Sequence, residues 1–157
     1  MRLSCQVAIG WCSEVRQFEA IFDIFMDNDQ PREELATPIG TMWIEDGVLW
    51  HRLETQDTIT EKHAVSVIDA VGRLTGNKPT PAVVDISHIG FAKAAARNRF
   101  AGSIDDSKEL ATALIVRNGP SRLMANVFLK LARPKRPVGV FIDPAKAAEW
   151  AAGFKTG

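Results

Sequence analysis

The sequence predicts an α/β protein. It has a four- to five-stranded, mostly parallel sheet, about four helices beside it, and an N-terminal extension. Three observations carry this. Short strand-like runs alternate with runs of helical period from Met42 to Phe154. Two of them, Val83–Ile86 and Ala111–Val116, show no polar alternation, as expected of strands covered on both faces. The helical runs carry start and stop signals at their ends. Strands alternating with helices of this length imply parallel pairing through right-handed crossovers.

Residues 1–37 read as the extension and residues 38–157 as the domain. Ser13 can cap a helix reaching Met26, with Val15, Phe18, Ile21, Phe22 and Phe25 on one face. Asp27–Glu34 is polar and broken by Pro31, which reads as a linker. The aromatic face of that helix must pack on its own domain or on a partner, unless translation starts later and the segment is not made. From Ile39 the pattern is regular. Met42–Ile44 and Val48–Leu53 flank Asp46-Gly47, a hairpin signal. Thr60 opens a helix whose stripe is Ala64, Val67, Ile68, Val71 and Leu74, and Gly76 ends it. Strand Val83–Ile86 follows, then a turn, then an alanine-rich helix from Ala92 to Ala101. Gly102–Ser107 reads as a polar connection to strand Ala111–Val116. Gly119-Pro120-Ser121 opens a helix with Met124, Val127, Phe128 and Leu131 inward and Leu123 at the margin. Val138–Ile142 is the last strand. Asp143 then caps a final helix with Pro144 at its first position, lined by Ala147, Trp150, Ala151 and Phe154.

A chain of 157 residues suits one domain with a sizeable core. Lys and Arg number 19, as do Asp and Glu, so no overall charge draws the chain to nucleic acid or an anionic surface. No run approaches the ~20 apolar residues that span a bilayer, and the N-terminus lacks a signal-peptide core. Cys5 and Cys12 have no histidine at zinc-ligand spacing and read as reduced thiols, which points to the cytoplasm. No cofactor motif is present, and His51, His63 and His88 form no metal-binding pair. His88 follows Asp85 by three residues. A strand would set them on opposite faces unless the turn breaks that parity.

Trp43 with Asp46-Gly47, Ile59-Thr60, Val84-Asp85-Ile86 and Ala96-Arg97 form a first set of landmarks. Ser121-Arg122, Ala125-Asn126-Val127-Phe128, Pro137, Phe141 and Ala148-Glu149-Trp150 complete it. On these, Ile39–Phe154 resembles a group of small bacterial proteins of the STAS/SEC14-like (SpoIIAA-like) type, functionally unassigned. They are related to the STAS domains of anti-sigma-factor antagonists. The resemblance implies the STAS fold and a role as a non-enzymatic protein-interaction or regulatory module. STAS antagonists carry a phosphorylated serine where this chain has Ala94 and Ala95, so it implies a module without that switch. SEC14-like relatives suggest the alternative, a binder of an anionic or lipid-like small molecule. A lipid-sized cavity in so small a core would need a homodimer to supply it.

The candidate residues are Lys93, Arg97, Ser121, Arg122 and Asn126. Ser121 and Arg122 lie where a helix starts after a strand, a place that favours anions. Lys93 and Arg97 share a helix face and extend a basic rim. Against this stands the ordinary reading: a serine cap, solvated arginines, and a structural hydrogen bond from Asn126. That reading weighs more. No acid, base and nucleophile assemble into a catalytic set, so an enzyme ranks third.

Overall fold

A computed structural model of the chain describes residues 32–106 and 109–155. The helix expected over Ser13–Met26 lies outside the described residues. Six strands form one sheet: β1 (Leu35–Thr37), β2 (Gly40–Glu45), β3 (Val48–Thr55), β4 (Thr80–Ile89), β5 (Glu109–Ile115) and β6 (Val138–Phe141). Four helices accompany them: α1 (Glu61–Thr75), α2 (Ala94–Asp106), α3 (Gly119–Ala132) and α4 (Pro144–Ala152). The strands lie in sequence order across the sheet. β1–β2 and β2–β3 pair antiparallel, and β3–β4, β4–β5 and β5–β6 pair parallel. The sheet therefore has one strand more than the four or five expected. The addition is β1, placed by the sequence reading in the extension. Three residues are too few to show a period, but Leu35 pairs with Met42, and the compact unit that holds the sheet starts at Glu33.

The hairpin between β2 and β3 turns where expected. Asp46 and Gly47 both take the left-handed conformation, with φ of 50° and 72°. Two such residues in succession make the turn whose twist matches paired strands. Thr60 caps α1, and its backbone N–H donates to Nδ1 of His63. Gly76 ends that helix, as predicted. α4 starts at Asp143, whose carboxylate accepts from Ala145 N at 2.9 Å.

Two elements run further than the sequence suggested. β4 continues through Ser87 and His88 to Ile89, so these residues lie in the strand rather than in a turn. α2 starts two residues later than expected and continues past Gly102 to Asp106, through most of the segment read as a connection. A glycine weakens a helix by only about 1 kcal/mol and does not end it.

Successive right-handed crossovers in one direction put their helices on the same side of a sheet. α1, α2 and α3 accordingly share one face, over Met42, Leu53, Ile86 and Leu114. α4 follows the last strand and covers the other face, over Val48, Val83, Ala113 and Ile115. The β4 sequence serves both sides by alternation: Val83 faces α4, while Val84 and Ile86 face the three helices.

Candidate functional site

The five residues singled out from the sequence lie around α2 and on α3. Ser121 is buried, and its hydroxyl accepts from the backbone N–H groups of Arg117 and Asn118 at 3.1 and 3.2 Å. The Asn118 side chain in return accepts from Ser121 N at 2.8 Å. This reciprocal cap occupies donors that an anion would need, so Ser121 is a structural residue. Arg122 and Asn126 are exposed on α3. Asn126 is thus not the buried amide that its apolar neighbours suggested. Lys93 is exposed, and its backbone N–H donates to Ile59 O at 3.0 Å, tying the start of α2 to the loop before α1. Arg97 follows one turn later, and its backbone N–H donates to Lys93 O at 3.0 Å. Its guanidinium donates to Ala92 O and lies 6.0 Å from the Phe91 ring. Ala94 and Ala95, where a phosphorylated serine was sought, open α2 and are exposed.

The Asp85–His88 dyad does not form. Asp85 accepts from the backbone N–H of Ser87 at 2.9 Å, folding its carboxylate onto its own strand, and His88 is exposed. Among the described residues no three His, Cys, Asp or Glu side chains gather at metal-binding range. No described helix is long and apolar enough to cross a membrane.

The helix face holds a different feature. A cavity of about 120 Å³ lies between the sheet and α1–α3. Its floor is Leu53 of β3, Val84 and Ile86 of β4, and Leu114 of β5. Val67 and Val71 of α1, Phe100 of α2, and Met124 and Phe128 of α3 form its roof. Ala82, Ala92 and Ala125 also line it. Small side chains at these facing positions leave the gap between sheet and helices incompletely filled. Arg97 closes one part of the wall.

A second chamber of about 160 Å³ adjoins the first and shares Leu49, Ile68, Val71, Ser103 and Glu109 with it. Its own wall is polar: Thr75, Asn77, Lys78 and Thr80. Glu109 opens β5, and its Oε2 accepts from the Thr112 hydroxyl at 2.8 Å. Burial pushes its carboxyl above the ordinary 4.5, and the Thr112 hydrogen bond opposes that rise. The sequence reading began this strand at Ala111 and passed over Glu109. The available signal was a single acid opening a continuous apolar run.

Among the described residues, His51 is a second buried ionisable group on this face. It pairs in register with Met42 and Val84, between Leu49 and Leu53 along β3. Its Nε2 has no hydrogen-bond partner, and desolvation lowers its pKa from 6.5 to about 3. It is a neutral imidazole inside an apolar layer.

A family model described as a domain of unknown function (DUF7793) matches residues 42–155. No curated protein matches the chain. Among solved structures the chain is similar to an uncharacterized protein of the DUF3478 family from Shewanella loihica PV-4, described as having a SpoIIAA-like fold. The TM-score is 0.50 at 15% identity, covering 72% of this chain and 91% of that one. At that identity the likeness concerns the fold alone. The fold is SpoIIAA-like, as the sequence resemblance implied.

Proposed function

The chain belongs to the DUF7793 family, and within its SpoIIAA-like fold we propose a non-enzymatic protein that binds a small apolar molecule between the sheet and helices α1–α3. The observation that carries this is the cavity: aliphatic walls, a few polar groups among them, and an adjoining chamber that shares five of its lining residues. Such a combination is the usual form of a small-molecule site. Apolar cavities of roughly 150 Å³ stay dry and take up benzene-sized molecules. A space of about 120 Å³ therefore suits a short aliphatic chain or a small ring rather than a whole lipid. This favours the second of the two roles suggested by the sequence.

The test is a titration of the full chain with pentanol, followed by amide and methyl NMR. Shifts confined to Leu53, Val84, Val71 and Phe128 are expected, and Val71→Phe should abolish them by filling the space. Absence of shifts at millimolar pentanol, or shifts scattered over the surface, would overturn the reading.

A role as an interaction module rests on a separate observation. Leu123 and Leu131 stand on α3 with 65% and 67% of their surface exposed, two helical turns apart. The interaction surface on this reading is α3 rather than α2. Sedimentation equilibrium of the wild type and of a Leu123→Gln, Leu131→Gln double variant tests self-association there. A wild-type chain that stays monomeric would remove the homodimer form of this reading.

A further inference from the structure

The sheet ends at β6, whose outer edge has no strand beside it among the described residues. Pairing with β5 fixes where the backbone groups of β6 point. The carbonyls of Pro137 and Phe141 accept from Thr112 N and Val116 N, so they face inward. The C=O and N–H of a trans peptide point opposite ways, so the N–H groups of Val138 and Ile142 face outward. Alternation along the strand turns the N–H and C=O of Val140 outward as well. Pro137 lacks an N–H, but its position faces β5, so the open edge loses no donor there. The residues that present these groups are apolar. Val140 is 41% exposed and Ile142 59%.

Sheet edges are usually blunted by a charge or a proline within the strand. Val138–Phe141 reads VGVF and holds neither. Such an edge accepts a further strand through its main chain. The flanks of β6 say which strand fits. Arg133 and Arg136 precede it and Asp143 follows it, all exposed. A second β6 laid antiparallel brings the basic end of each copy to the acidic end of the other, whereas a parallel one sets like charges together. Centred on Val140, the pair overlaps all of Val138–Ile142. Val140 then meets the same residue of the second copy, and Val138 meets Ile142 of the second copy, so outward-facing residues oppose one another throughout. Their side chains share the face on which Val138 packs against the α1–α3 core. A contact of β6 with itself is also closed, whereas β6 against β1 would propagate head to tail.

We propose that β6 pairs antiparallel with β6 of a second copy, centred on Val140, joining the two sheets into one. This inference stands apart from the ligand-binding reading, and it places self-association on a different surface from α3.

The experiment is sedimentation equilibrium of the full chain from micromolar to millimolar concentration, with amide exchange followed by NMR. A dimer is expected. The amides of Val138, Val140 and Ile142 should become protected as concentration rises, while those of Gly139 and Phe141, directed at β5, are protected throughout. Val140→Lys sets like charges directly opposite each other and should weaken association at least about tenfold. The Leu123→Gln, Leu131→Gln double variant should associate like the wild type. A chain that is monomeric at millimolar concentration overturns the inference. So does a dimer whose Val140 and Ile142 amides still exchange freely. A dimer lost in the α3 double variant and kept in Val140→Lys overturns it too, and leaves α3 as the interface. The wild-type exchange pattern decides the matter even if a variant fails to fold.

Discussion

On the α4 side of the sheet there is no space for one more carbon at Gly139, while on the α1–α3 side a cavity of about 120 Å³ is left open. The α4 side is closed by aromatic rings. Trp150 lies 5.5 Å from Phe141 and 4.8 Å from Phe154 between ring centroids, both at tilted angles. These are favourable geometries for aromatic pairs. Gly139 makes that approach feasible: a Cβ there would come within 2.6 Å of the Phe141 ring. The α1–α3 side is lined by aliphatic chains, several alanines, and the uncharged ring of His51. One side is a jigsaw of large rings fixed by a glycine. The other is a looser layer with room to admit something. Rigidity and capacity are thus divided between the two faces of one sheet.

Four substitutions test that division. Trp150→Ala should cost the most, about 3 kcal/mol, at the low end for large aromatic truncations because the ring is only half-buried. Chemical denaturation measures it, and a loss under about 1 kcal/mol would show that the α4 side is not the rigid one. Gly139→Ala should cost about 2 kcal/mol through overpacking against Phe141. A neutral result would mean that the rings yield easily.

His51→Leu probes the looser side through pH. The folded chain keeps this imidazole neutral down to about pH 3, whereas the unfolded chain takes up a proton near 6.5. Stability from this group is therefore complete above 6.5 and is lost as pH falls toward 3. At about pH 5 the wild type should have lost about 2 kcal/mol on this account, and the leucine variant should be spared that loss. Equal acid sensitivity in the two proteins would contradict it. Val71→Leu adds one methylene to the cavity wall and should change stability least, within about 0.5 kcal/mol, because there is space to receive it. A penalty as large as that of Gly139→Ala would erase the contrast between the faces.

The α4 side was the more legible of the two in the sequence. Asp143-Pro144 fixed the start of its helix, and Ala147, Trp150, Ala151 and Phe154 declared its inner stripe at helical spacing. The strands and helices of the other side were equally plain from periodicity. What could not be read was the gap among them. A cavity is lined by the same Val, Leu, Ile and Phe residues that would fill a core, and its existence depends on distances of a few ångströms between elements. The capping role of Ser121 was hidden for a related reason. Ser121 and Asn118 satisfy each other across a helix start, and a sequence signal for a helix start is the same whether its donors are free or taken. β1 was missed because three residues carry no period, and Glu109 because attention to apolar runs passes over the acid that opens one.

The strictly sequential order of the strands has a kinetic consequence. Each strand hydrogen-bonds only to the strands before and after it in the chain. None must be inserted between two partners that have already met. The antiparallel ribbon of β1, β2 and β3 can close while the rest of the chain is still unmade, and each later strand with its helix adds at a growing edge. Only the β1–β3 ribbon closes through short loops; each parallel pair must wait for a helical crossover, which raises contact order and makes the later additions the slow steps. A chain made from the N-terminus at about 5–20 residues per second would meet its partners in the order in which the sheet accepts them.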